Sequence, residues 1–170
     1  MNSLMKYGFG FVFLVLLQVG ILSNIDFLGY VNPYFYIYLI IILPFTISRL
    51  NLLFIGFVLG LSVDLFLNTP GLHTFPTVFI AYIRSLISRK SISKSELEGV
   101  KYPTLFKLGL GSYFAYSASI VVFHHLILYA LETFRWSGVL DTLLGAVYSS
   151  IMTLILVFVA QITFASREKI

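Results

Sequence analysis

Few side chains in this sequence could do chemistry, and the first to consider is an acid. Asp64 lies in the run Gly56-Phe57-Val58-Leu59-Gly60-Leu61-Ser62-Val63-Asp64, which continues to Asn68-Thr69-Pro70-Gly71-Leu72. An ionisable group in an apolar, membrane-type segment is rare and a functional candidate by default. On a helix Gly56, Gly60 and Asp64 recur every four residues and share one face. Two glycines on that face admit a neighbouring backbone at close range, the small-xxx-small contact of membrane helices, so Asp64 is expected at a protein–protein seam and not against lipid tails. A plainer reading stands beside this one. Asp64 is about three residues from the expected helix end, roughly 4.5 Å, where a carboxylate reaches interfacial water. The burial cost of about 2.5–3.5 kcal/mol at the bilayer centre is then an upper bound.

The other candidates carry less. His124 and His125 are adjacent, so on a helix they point about 100° apart, whereas helical metal pairs use i,i+3 or i,i+4 spacing. His73 could meet one of them, but no carboxylate pattern completes a metal site. Gly60-Leu61-Ser62 is half of an intramembrane serine-protease signature, but Val63 follows where a glycine would free the serine. A serine in this setting bonds its own helix. Without phosphate-binding glycine loops, His-Glu-x-x-His runs or clustered carboxylates, the chain is expected to be non-enzymatic and to hold neither cofactor nor metal. The roles of His73, His124 and His125 are left open.

These residues are positioned by membrane elements. The chain has 170 residues, 59% hydrophobic, 17% aromatic and only 11% charged; its mean hydropathy is +0.97. Soluble domains carry about 25% charged residues, so composition points to one all-α, polytopic membrane domain in the bilayer. The absence of cysteine removes disulfides, thiolate ligands and thiol nucleophiles. The net charge of +4 forms no basic stripe of a nucleic-acid-binding kind.

Six spans are expected over residues 7–23, 34–48, 52–67, 72–88, 105–131 and 142–164. The first follows Lys6 and lacks a small-x-small cleavage site, which reads as a retained anchor, with Gln18 as its polar group. A connection with Asp26, Gly29 and Pro33 leads to the second span. That span is short, about 22 Å against a core of about 30 Å, with Tyr34, Phe35, Tyr36 and Tyr38 as an interfacial belt and Pro44 as a kink. Arg49-Leu50-Asn51 reads as a polar break before the third span. In the fourth, Pro76 falls in the first turn and Arg84 is expected to snorkel to the headgroups. A solvated loop with Lys94, Glu96 and Glu98 follows, and Arg135-Trp136 forms an interface anchor between the last two spans. With both termini cytoplasmic, Lys6, Arg49, Arg84, Arg89, Lys90, Lys94, Lys101, Lys107, Arg167 and Lys169 fall inside and Arg135 outside, ten of the 11 basic residues.

In Gly60-Leu61-x-x-Asp64, followed after six residues by Gly71-Leu72, the chain resembles the rod shape-determining MreD family; Ala81-Tyr82 is a weaker echo, and Gly56 adds a small residue to the motif face. The specific part covers about 17 residues, while length and span order agree over the whole chain. The resemblance implies a non-enzymatic scaffold subunit of the bacterial inner membrane, supporting lateral peptidoglycan synthesis and cell shape. Its partner would be a bitopic MreC-like protein. It would be linked indirectly to the MreB filament and to a RodA-type polymerase with its transpeptidase. The implied fold is similar to the six-helix substrate-binding subunits of energy-coupling-factor vitamin transporters. That similarity supplies the rival expectation, a vitamin-binding uptake subunit with a polar or aromatic cavity open to the outside.

Overall fold

A computed structural model describes residues 3–25, 31–133 and 139–164. Asp26, Gly29, Arg135, Trp136, Arg167, Glu168 and Lys169 lie outside the described residues, as do the side chains of Lys6 and Asp141. Every regular element described is helical: α1 (Ser3–Gly20), a 3-10 turn (Leu22–Asn24), a second 3-10 turn (Phe35–Ile37), α2 (Tyr38–Ile42), α3 (Arg49–Leu67), α4 (Thr74–Ser91), α5 (Lys94–Leu97), α6 (Leu105–Thr133) and α7 (Val139–Phe164).

Four helices, α1, α3, α6 and α7, are long and apolar enough to cross a bilayer. Their outer faces expose large apolar side chains such as Phe9, Phe57, Leu65, Phe114 and Ile155, whereas Gln18, Ser149, Thr153 and Gln161 turn inward and are buried. Burial of the polar groups with apolar groups outward is the arrangement lipid favours. The α4 helix is less apolar, ending in Arg89 and Lys90, and packs between α3 and α6, while α6 pairs with α7.

The expected second span takes a different form. The backbone of residues 32–34 is irregular, one 3-10 turn follows, and the α-helix proper is only five residues long before the chain turns at Pro44. The expected interfacial belt is also revised: Tyr34, Phe35, Tyr36 and Tyr38 are buried, and Tyr36, Ile37, Ile40 and Ile41 have no exposure at all. The apolar run from Tyr34 to Leu43 is therefore the middle of the bundle, not a lipid-facing helix. Irregular backbone at membrane depth is tolerated only when protein surrounds it and satisfies its polar groups, and the neighbours do so. Gln18 Nε2 donates to Pro33 O (3.1 Å) and its Oε1 accepts from Tyr36 N (3.4 Å). Ser149 Oγ accepts from Asn32 N at 3.0 Å and Thr153 Oγ1 from Tyr34 N at 3.1 Å.

The far end of the same segment is closed by Arg84. Far from snorkelling, Arg84 is buried, with Nε donating to Tyr116 Oη at 2.7 Å and its terminal nitrogens to the carbonyls of Leu43, Ile41 and Pro44. Tyr116 also donates to Ile41 O at 3.1 Å. A cation at the C-terminal end of a helix faces the negative pole of its dipole and its unpaired carbonyls, which explains the choice of arginine there.

Two boundaries also move. Arg49-Leu50-Asn51 opens α3 instead of breaking the chain, because Ser48 Oγ accepts from Asn51 N as an N-cap. The loop after α4 contains a one-turn helix held by a reciprocal Ser93–Glu96 cap, and Ser112 of α6 donates to the same carboxylate. The Ser93 hydroxyl and amide, with the Ser112 hydroxyl, hold the Glu96 carboxyl below its ordinary pKa. At Gly109 the backbone leaves helical geometry, so the first turn of α6 is set off from the rest.

Candidate functional site

The α3–α4 hairpin is built from the acid outward. Asp64, at the end of α3, is buried and its carboxylate receives six donors. Oδ1 accepts from Thr69 Oγ1 (3.0 Å), His73 N (2.9 Å) and His73 Nδ1 (3.0 Å); Oδ2 accepts from Gly71 N (3.0 Å), Thr74 N (2.9 Å) and Thr74 Oγ1 (2.5 Å). The amides it receives open α4, so Asp64 caps the next helix across the turn and complements its positive end. Asn68, in the left-handed region at φ 57°, ends α3, and its amide bonds back to the Asp64 carbonyl. Gly71 completes the reversal at φ +85°.

The glycines determine how close the two helices come. A Cβ on Gly60 would lie 2.5 Å from Thr74 Cα and 2.8 Å from His73 O; one on Gly56 would lie 3.0 Å from Ala81 Cβ. The pairing of residue 60 with 74 and of 56 with 81 and 77 makes the hairpin antiparallel. The seam expected on this face is therefore within the chain, between α3 and α4, and the partner expected for Asp64 is its own turn. Of the motif residues, Gly56, Gly60 and Asp64 are buried, Leu61 is half-buried, and Gly71 is exposed. Ser62 Oγ donates to Val58 O at 2.7 Å, one turn back on its own helix.

Beyond Asp64 the polar contacts continue inward. A carboxylate only accepts, so His73 Nδ1 carries the proton and Nε2 is turned into the bundle with no hydrogen-bond partner among the described residues. Thr77 Oγ1 spends its proton on His73 O (2.7 Å), so the Tyr36 hydroxyl donates to Thr77 (3.1 Å) and accepts from His124 Nε2 (2.7 Å). That leaves His124 Nδ1 as a second buried lone-pair acceptor without a partner among the described residues. His125 is accounted for: Nδ1 donates to Val121 O (2.8 Å) and Nε2 receives Thr153 Oγ1 (3.1 Å). Tyr34 packs against the three histidines, its ring centroid 5.5 Å from His73, 6.2 Å from His124 and 5.4 Å from His125.

The sequence reading left the three histidines without a role, and the fold gathers them around the broken segment. Its adjacency argument separates His124 from His125 as expected: the first serves Tyr36, the second Thr153. Among the described residues no group of three or more His, Asp and Glu side chains is arranged to hold a metal. The residues missed are Thr69, Thr74 and the tyrosines. A clue was available for the threonines, since Thr69 and Thr74 flank a turn directly after a lone acid. The arrangement can hold a turn and a broken core segment in one geometry. Within it Ser62 bonds its own helix, and the hydroxyls of Tyr36, Thr69, Thr74 and Thr77 hold neighbouring groups. No family model matches the chain, and neither a curated protein nor a solved structure matches it.

Proposed function

We propose that the protein is a non-catalytic scaffold subunit of the bacterial rod complex, of the MreD type. In this reading it crosses the cytoplasmic membrane six times and binds an MreC-like bitopic partner through its helices. The observation that carries the reading is the coincidence of the motif with one structural device: Gly60, Asp64 and Gly71 together build the α3–α4 turn. A signature whose residues shape a turn and a close helix seam is what a scaffold requires, since its product is a surface. Because Asp64 is saturated by its own turn, it acts on a partner from beneath, by fixing the exposed Gly71 and the apolar residues Leu65 and Phe75 beside it. The rival uptake subunit would need a cavity open at the Asp64 end. There Tyr36, His124 and His125 are packed to zero exposure, which favours the scaffold.

The test is depletion of the chromosomal copy in a rod-shaped host, with complementation by the wild type, Asp64→Asn or Asp64→Leu. Rounded cells and lost co-purification of the MreC-like partner are expected on depletion, with rescue in the order wild type, Asn, Leu. Normal shape and partner assembly together with lost vitamin uptake would replace the scaffold by the transporter subunit.

A further inference from the structure

At the end of the hairpin opposite Asp64, a cleft of about 420 Å³ opens between the start of α3, the second half of α4 and the turn after α2. Its volume is within the range of ligand pockets, about 300–1,000 Å³. Three arginines line it, Arg49 from α3 and Arg84 and Arg89 from α4, together with the hydroxyl-bearing Ser85 and Ser88, and no acidic residue does. We propose that this cleft binds a phosphate-bearing anion, with the guanidinium groups of Arg49 and Arg89 clasping the phosphate and Arg84 supplying fixed charge behind it.

Three observations converge on that chemistry. First, Arg84 is a buried cation that bonds one hydroxyl and three carbonyls and lies over the rings of Phe45 and Tyr116, 5.3 and 5.9 Å from their centroids, none of these partners being ionised. Those four bonds leave one of its five N–H donors uncommitted. A charge taken out of water and met only by dipoles and ring faces, with no ionised partner, favours an anion nearby. Second, the one ion pair among the described residues is between His73 and Asp64 at the other end of the hairpin, so among these residues neither Arg49 nor Arg89 meets a carboxylate. Glu96, the nearest acid in sequence to Arg89, is occupied by Ser93 and Ser112. Third, the rest of the lining is largely apolar, and includes Phe45, Leu52 and Leu53. Arginine forks match phosphate oxygens in pairs, and basic clefts between membrane helices accept anionic lipid headgroups in this way. The phosphate could belong to a lipid or to a soluble molecule, and the chemistry of the clasp is the same for both.

The full chain, purified in a neutral detergent, is presented with phosphatidylglycerol, phosphatidylcholine or inorganic pyrophosphate, and retention is read by native mass spectrometry. The variants are Arg49→Gln with Arg89→Gln, the corresponding double lysine, and Lys94→Gln with Lys101→Gln as a control that removes equal charge outside the cleft. Both arginines changed are exposed, so thermal unfolding should match the wild type. Expected is retention of phosphatidylglycerol but not phosphatidylcholine. It should be weakened at least tenfold in the double glutamine variant, restored in part by lysine and unaffected in the control. Retention of pyrophosphate alone, with the same dependence on Arg49 and Arg89, would uphold the clasp and make its ligand soluble. No anion retained, or equal retention by the double glutamine variant and the wild type, would overturn the proposal.

Discussion

Asp64 and Gly60 show how one residue sets a helix pair. The two oxygens of Asp64 take three donors each, so asparagine keeps an acceptor for half of them and leucine keeps none. Buried donors left unpaired cost about 1–3 kcal/mol each before relaxation. Thermal unfolding in detergent should rank wild type above Asp64→Asn and Asp64→Asn above Asp64→Leu, the last losing about 3 kcal/mol or more. Gly60 obeys a different rule, since the atoms a side chain would meet are backbone and cannot swing aside. Gly60→Leu should therefore cost about 3 kcal/mol or more, while Leu59→Val costs about 1 kcal/mol. A Gly60→Leu midpoint equal to that of Leu59→Val would rule out the close seam. This part of the site was legible in the sequence because a four-residue period of small residues ending in an acid has a direct geometric meaning. The donors to Asp64 were less legible, because the turn that folds Thr69, His73 and Thr74 back over it leaves no periodic trace.

At the scale of elements, the segment from Tyr34 to Leu43 accounts for most of what the sequence did not reveal. An unbroken apolar run has no period, so a buried irregular stretch and a lipid-facing helix look alike until their partners are known. Its caps come from Gln18, Thr153, Arg84 and Tyr116, which lie 18 to 119 residues away in the chain or between those limits. Arg84 was misread for the same reason: snorkelling assumes lipid beside the side chain, and the neighbours here are carbonyls needing donors. The energetic claim can be tested at the caps. Gln18→Met and Thr153→Val keep the shape approximately and remove the bonding group, so each should destabilise the protein by about 1–3 kcal/mol. Amide exchange should rise at Tyr36 in the first variant and at Tyr34 in the second. Ser62→Ala, which removes a bond within one helix turn, should stay within about 0.5 kcal/mol. Unchanged exchange at both tyrosine amides would show that the segment does not depend on these side chains.

For the whole molecule the remaining question is orientation, and the two ends of the bundle differ in charge. Gln18, Tyr34, Asp64, His73 and His124 share one end through their contacts, while Arg84 closes the other, where Phe45 N also donates to Lys101 O at 2.9 Å. Arg49 and Arg89 line the cleft on that second end, so the fold brings together Arg49, Arg84 and Arg89 from two helices. The broken segment runs beside α4 from the level of His73 to that of Arg84, about 16 Å at 1.5 Å per residue. It extends further through its irregular start at residues 32–34. That reach makes a crossing possible for a stretch that is too short as a straight helix. If both this segment and α4 cross with the four long apolar helices, the crossings number six and the arginine end faces the cytoplasm. A periplasm-active phosphatase fused after Ile170 should then be inactive, and one inserted near Trp136 should be active. A fusion between Ile92 and Lys94 should also be silent, whereas one at Pro70, beside the Asp64 turn, should be active. High activity from the fusion after Ile170, or silence at both Pro70 and Trp136, would reverse the orientation and move the arginine cleft to the outer face.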